Sequence, residues 1–405
     1  MRKLKGFSLI EVLVTILILS FIITLLLPGL QNARESARQV SCKHNLARLS
    51  ESCIRHESIV GHYPSAGWSY QWLGIGSRQT DGSQPGGWIF NILPYIDGKR
   101  IKEISVSYKI LNNRSHQQNV LIYNAYSELI NNSLSIFNCP SRRTSRPIRV
   151  DQALSFYTTA SSLFNFNTSS RADYAGNGGS NGICPPLYLF SSRAVPAAVI
   201  QQANSRIKKI EICHNPLGRP DSGNTQNLPY NAVFDEGHSN HENDLLGGCD
   251  TCDKSIDNII FTPSNLDEGD AWVNTPLEIR FALPDMGIPD LQNGLFVRMG
   301  VLRSGHIVDG FTNTYMIGEK YVAIDSYQTG LDSGDKSVMY CGYSSSNIRW
   351  TTDKPQRDNM SSNPNIFGSN HEYGFNMAFA DGSVRFIDYH IDEKLHKSFG
   401  NRQDY

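Results

Sequence analysis

MRKLKGFSLIEVLVTILILSFIITLLLPGL, residues Met1 to Leu30, decides the architecture of this chain. Arg2, Lys3 and Lys5 precede Gly6, and an apolar run follows from Phe7 to Leu27, broken near its start by one carboxylate, Glu11. The run is about 21 residues, roughly 31 Å of helix at 1.5 Å per residue, which is enough to cross a bilayer. The basic cluster is expected to stay on the cytoplasmic side, so the chain beyond the span faces outward. A secretory signal fits poorly: its apolar core is about 7–15 residues and ends at small residues, whereas this run is longer and ends in Pro28-Gly29. A plain signal anchor gains nothing from Glu11. A carboxylate at the centre of a membrane helix costs about 2.5–3.5 kcal/mol, and less near its end.

Gly6-Phe7-Ser8-Leu9-Ile10-Glu11 resembles the class III signal of type IV pilins and type II secretion pseudopilins. The resemblance implies that a prepilin peptidase cuts between Gly6 and Phe7 and methylates the new amine on Phe7. It also implies that Glu11, fifth in the mature chain, pairs with the amine of a neighbouring subunit. An ammonium and a carboxylate in a low-dielectric bundle each need a counter-charge, which gives that pairing a physical sense.

With 405 residues, 40% apolar and 19% charged, the chain can bury at least one large core. Loss of the leader's three cations takes the formal net charge from −1 to −4. That balance gives no support to nucleic-acid binding, and the one basic run outside the leader, Arg142-Arg143-Thr144-Ser145-Arg146, reads as a solvated loop. The eight cysteines are compatible with disulfides in an oxidising space, but their pairing is not readable from spacing. Cys42 and Cys53 on one helix stand about 16 Å apart and cannot pair with each other, since a disulfide needs Cα atoms within about 7 Å.

After Pro28 the helical pattern resumes to about His56. Ala33, Ala37, Val40, Cys42, Leu46, Leu49 and Cys53 form a stripe at spacings of mostly three and four, and Arg34, Glu35, Arg38, Lys43, Arg48, Glu51 and Arg55 fall on the opposite side. Four segments follow: a leader at 1–6, a transmembrane assembly helix at 7–27, an amphipathic stem at 28–57 and a β-rich extracytoplasmic domain at 58–405. Within the last, 200–290 is rich in Asn, Gly, Asp and Pro and reads as a variable insertion. Segment 99–135 reads as partly helical and polar, Ile136–Pro140 as a buried strand, 140–170 as a loop, and Asn293–Arg298 and Tyr315–Glu319 as strands. Asn376–Ala380, Asp381-Gly382 and Ser383–Ile387 form the strongest hairpin signal, with Met377 and Phe379 on one face. The fold class is α+β, a long N-terminal membrane-spanning helix continuing into a stem packed on a mainly antiparallel sheet.

His371 followed ten residues later by Asp381-Gly382 is similar to the H-x9-D-G motif of pilin-like proteins abundant in planctomycete bacteria, a family of uncharacterised function also described as solute-binding-like. Scattered stretches add to the resemblance: Ala33-Arg34-Glu35, Cys42 with Asn45-Leu46, Phe137–Ser141, Asp173–Asn177, and Asp309-Gly310 through to Gly318-Glu319.

His371 and Asp381 offer an acid–base or metal pair, but the turn alone explains Asp381-Gly382, so the motif reads as structural. No nucleophile elbow or phosphate loop is present, and no spacing calls for enzymatic chemistry. No cofactor is required. Calcium is a candidate at Asp332–Asp335 or Asp267–Asp270, although neither loop has a full ligand pattern. Zinc is a candidate at His238, His241, Cys249 and Cys252, where oxidation of the two thiols competes. Trp68, Tyr70, Trp72, Trp88 and Trp350 suit a ligand cleft or a core. The functional expectation is a pilin-like or pseudopilin-like subunit of a type II secretion or type IV pilus-like filament. Its partners are prepilin peptidase, the inner membrane and further pilin-like subunits, with no nucleic acid. The alternative is a membrane-anchored solute-binding or adhesion module.

Overall fold

A computed structural model describes residues 9–404, apart from 68–69, 71, 83, 106–115, 160–161, 299 and most of 181–292. Within that last range only four short strands are described. Helix α1 runs unbroken from Leu9 to Val60, about 78 Å at 1.5 Å per residue. Pro28 sits inside it and leaves the Thr24 carbonyl without its usual donor. The hydroxyls of Thr15, Ser20 and Thr24 donate back to the carbonyls of Val12, Leu17 and Ser20, so these polar groups are satisfied within the apolar segment. Gly61, at φ +89°, ends the helix in a left-handed conformation, its N–H donating to the Glu57 carbonyl.

Helix α2 (Trp88–Ile92) packs beside the stem, while α3 (Lys99–Ile104) and α4 (His116–Asn131) pack on each other. The described residues of segment 99–135 are therefore partly helical as expected, but not simply polar. Ile122, Tyr126, Leu129 and Ile130 of α4 are buried. The strands are β1 (Ile148–Thr159), β2 (Ser162–Ser169), β3 (Tyr174–Asn177), β4 (Leu187–Tyr188), β5 (Ile210–His214), β6 (Asn224–Leu228) and β7 (Leu245–Leu246). Beyond the insertion come β8 (Tyr315–Glu319), β9 (Ile348–Arg349), β10 (Gln356–Arg357), β11 (Gly368–Ser369), β12 (Gly374–Phe379) and β13 (Val384–Asp388), then helix α5 (Glu393–Gly400). The central sheet has the order β13-β12-β8-β3-β9, antiparallel except for the β3–β9 pair.

The Asp381-Gly382 hairpin forms as expected. Gly382 takes φ +83°, and a side chain there would also press on Ile54 of α1. Phe375, Met377 and Phe379 pack with Tyr315 and Phe367, and Phe399 of α5 joins this cluster. Ala378 and Ala380 instead join Leu46, Leu49 and Cys53 of the stem in the larger core. The sheet is thus buried on both faces, and its small side chains meet the helix.

Several expectations need correction. Residues 140–170 contain the β1–β2 hairpin, with Phe156 opposite Phe164. Ile136–Pro140 is not a strand: Ser135–Phe137 is a single 3₁₀ turn. Asn293–Arg298 forms no strand either. It is a bend held by the Phe296 N–H on the Asn177 carbonyl, and Gly294 lies against the backbone of Gly178 and Gly179. Trp72, Trp88 and Trp350 are core residues, while Tyr70 is exposed and Trp68 lies outside the described residues.

Two core histidines predict an acid-labile fold. The Nδ1 of His56 donates to the His62 carbonyl, while its Nε2 is buried without a partner. Burial lowers the pKa of His56 to about 4 and that of His396, packed among Tyr315, Phe367 and Phe375, to about 3. Below pH ~6.5 the unfolded chain binds protons that these folded sites refuse, so stability falls with pH until the folded values are reached. At 1.36 kcal/mol per unit the loss is on the order of 2 kcal/mol each by pH 5. The melting temperature of detergent-solubilised protein should drop from pH 7 to 5, and a His56→Gln/His396→Gln variant should show a flatter slope. An equal slope in both proteins refutes the assignment.

Candidate functional site

Two regions of α1 carry the functional geometry. In the first, every large apolar side chain from Leu9 to Leu30 is exposed, and Glu11 is exposed among them. The window suited to crossing a membrane is 0% buried, so no described part of the outer domain covers it. Gly6 and Phe7 lie outside the described residues.

The second region is where the stem enters the outer domain. Cys42, Leu46, Leu49, Cys53 and His56 are buried, but Ala33, Ala37 and Val40 are exposed. The buried stripe therefore starts at Cys42 rather than at Ala33. Glu35, placed by its charge on the outer face, lies one heptad before Cys42 and turns inward. Its Oε1 accepts hydrogen bonds from Ser141 Oγ and His371 Nδ1, each at 2.8 Å.

The other nitrogen of His371, Nε2, faces the Glu319 carboxylate at 3.2 Å and Cys139 Sγ at 3.9 Å. Glu319, the last residue of β8, also accepts from the backbone and side-chain nitrogens of Asn376 at 2.7 and 3.1 Å. Cys139 follows the 3₁₀ turn, and its N–H donates to Asp173 Oδ2 at 2.9 Å. Asn45 of the stem donates to the Asn138 carbonyl and the Tyr174 hydroxyl. Glu35, Cys42, Asn45, Asn138, Cys139, Ser141, Asp173, Tyr174, Glu319 and His371 all come from the scattered stretches that carried the family resemblance. The fold gathers them into one seat for the stem, half-exposed at Glu35, Asn45 and Ser141 and buried at the others.

Burial alone would lower the pKa of His371, but the flanking Glu319 carboxylate, with the Cys139 sulfur beside it, pushes it up. Burial opposes ionisation of Glu35 too, yet its hydrogen bonds to Ser141 and His371 hold its pKa below the usual value. His371 is thus an imidazolium between two carboxylates, a bridge from stem to sheet. Asp381 is engaged elsewhere, accepting from the N–H and hydroxyl of Ser383 within its own turn.

The ligating atoms of Cys42, Cys139, Glu319 and His371 lie within 4.8 Å of one another, so the set is close enough to surround an ion. Its two sulfurs are 2.6 Å apart. Two thiolates on one zinc, each at about 2.3 Å in tetrahedral geometry, stand roughly 3.8 Å apart, so the sulfurs do not fit as a ligand pair. His238, His241, Cys249, Cys252 and Asp267–Asp270 lie outside the described residues. In the Asp332–Asp335 turn, Asp332 accepts from the Gly334 and Ala323 N–H groups, and Asp335 pairs with Lys320 and Arg143.

Next to the seat, the presumed solvated run is a buried ion cluster. Arg142 binds Asp358 with two nitrogens at 2.9 and 2.8 Å and lies 3.3 Å from Asp173. Arg143 bridges Asp173 and Asp335, and Lys320 Nζ reaches Asp335 at 2.7 Å. Burial alone would raise the Asp335 pKa, but Arg143 and Lys320 hold it well below the carboxylate range. Lys320 is itself lowered by burial to about 8.

The family described as "Protein of unknown function (DUF1559)" matches residues 31–187 and 273–394, and the prokaryotic N-terminal methylation motif matches residues 1–27. The first match leaves out most of the stretch read as an insertion. Comparison with curated proteins and with solved structures returns no match.

Proposed function

The chain belongs to the DUF1559 family and opens with a prepilin-type methylation motif, and from that premise we propose that it is a pilin-like structural subunit. The motif implies a substrate of prepilin peptidase, anchored through its N-terminal helix. In this reading the enzyme cuts after Gly6 and methylates Phe7, and the mature chain waits in the inner membrane with its outer domain extracytoplasmic. It then joins a type II secretion or type IV pilus-like filament through Phe7–Leu27, where Glu11 sets the register against the amine of a neighbouring copy.

The observation that carries this reading is the division of labour along one helix. Among the described residues, the segment from Leu9 to Leu30 buries no large apolar side chain, while the part from Cys42 to His56 is locked into the outer domain. A helix held so firmly at one end and bare at the other is built to bury its apolar half in lipid or against other helices. A cleft lined by aromatic residues would favour a membrane-anchored solute-binding module. Trp72, Trp88 and Trp350 are fully committed to the core, and an open groove near Ser127, Asn131 and Arg146 is lined without aromatic side chains.

Mass analysis of the mature N-terminus tests the reading. The expected result is a chain that begins at methylated Phe7, in the membrane or filament fraction. An intact Met1 reduces the protein to a simple anchor.

A further inference from the structure

We propose that Cys42 and Cys139 form a disulfide that fastens the stem of α1 to the outer domain. The two sulfurs are 2.6 Å apart, well inside the roughly 3.5–4.0 Å of ordinary non-bonded contact. That distance is also too short for two thiolates sharing one zinc. Both residues are buried, Cys42 fully and Cys139 at 2% exposure, so their partner must come from within the fold. Cys341 lies instead beside the Ser344 hydroxyl at 3.6 Å, and Cys53 is packed in the apolar core.

The bond joins residues 97 apart in sequence, and it sits where the helix leaves its apolar half and enters the domain. Across the same junction, His371 ties Glu35 of the stem to Glu319 of β8. The covalent link therefore has an ionic companion at the first point where a pull on the apolar segment would pass into the outer domain.

The inference rests on the outer domain lying outside the cytoplasm, where disulfides persist. Formation balances as thiol–disulfide exchange. One of the two thiolates attacks the disulfide of an extracytoplasmic thiol–disulfide oxidase and releases one oxidase thiolate. The second cysteine, as thiolate, then attacks the mixed disulfide and releases the other. Two thiols of this chain are oxidised, one oxidase disulfide is reduced to a dithiol, and the protons pass to the oxidase sulfurs. Because both cysteines end up buried, exchange precedes the docking of the stem.

The test uses the full chain isolated from its own membrane, alkylated and denatured without reductant, then digested and read by mass. The expected result is a Cys42 peptide joined to a Cys139 peptide, 2 Da lighter than the two thiol peptides, and released by reductant. In Cys42→Ser the link disappears and Cys139 becomes alkylated. Alkylation of both cysteines in the unreduced wild type overturns the proposal, whether or not one zinc per chain accompanies it. Linkage of either cysteine to a different partner overturns it as well. The same digest reads the N-terminus: methylated Phe7 with free Cys42 and Cys139 sinks the disulfide alone. A joined pair with intact Met1 supports the disulfide and sinks the prepilin reading.

Discussion

If the chain assembles as proposed, Glu11→Ala should leave cleavage after Gly6 largely intact and abolish incorporation of the chain into filaments. The substitution removes a carboxylate from an otherwise apolar, exposed stretch of α1, so anchoring in lipid becomes easier rather than harder. In the proposed filament, removal of the carboxylate would cost the attraction between Glu11 and the neighbouring amine. Two unit charges about 4 Å apart at an effective dielectric of 20 attract by about 4 kcal/mol, close to a thousandfold in an association constant. An apolar helix alone gives little orientation, because lipid tails are as apolar as leucine side chains and do not favour one register. Glu11→Gln keeps the shape and a hydrogen bond but not the charge, and it should fall near alanine. Glu11→Asp keeps the charge at shorter reach and should assemble partially. Shearing filaments from cells and probing both the sheared and membrane fractions gives the measurement. Normal filament yield from Glu11→Ala refutes the register role.

What could be read along the chain, and what could not, divides by the range of the interactions. The apolar span, the helix continuing past Pro28 and the Asp381-Gly382 hairpin are written in local patterns: an apolar run, helical spacing, a turn dipeptide between alternating strands. Each was legible because its cause lies within a few residues. Glu35 was misplaced because local periodicity groups it with Arg34 and Arg38, and only His371, distant in sequence, shows that it faces inward. The heptad step from Glu35 to Cys42 was the available signal. Arg142 and Arg143 read as solvated because a short basic run is usually solvated. The carboxylates that neutralise them, at Asp173, Asp335 and Asp358, are far away along the chain. Asn293–Arg298 has the apolar content of a strand, yet its backbone hydrogen bonds go to three separate stretches, at Ala66, Asn177 and Arg402, and build no ladder. In the seat, the stretches behind the family resemblance were quoted one by one, but nothing local showed that they meet.

The ion cluster behind the seat yields the largest stability effect. Arg142 and Asp358 have side chains at 0% exposure, and Tyr327 and the Val322 N–H also donate to Asp358. Arg142→Ala strands that carboxylate in the core, and loss of one partner from such a pair costs about 3–5 kcal/mol. The exposed pair of Arg55 with Glu51, at 60% and 58% side-chain exposure, provides the contrast: Arg55→Ala should cost less than about 0.5 kcal/mol. Denaturant titrations of the solubilised chain at pH 7 compare the two, and equal costs would overturn the cluster's role. The penalty comes from an unpaired charge rather than from a lost attraction, so removing both charges should be milder than removing one. Arg142→Met/Asp358→Leu should recover a substantial part of the deficit, less what Tyr327 loses when its acceptor disappears. Burial already raises the Asp358 pKa, with Arg142 opposing that rise. Without the arginine the carboxyl takes up a proton more readily, so the deficit of the single variant should shrink between pH 7 and 5. The double variant has no such carboxyl, and its difference from the wild type should stay level across the same range.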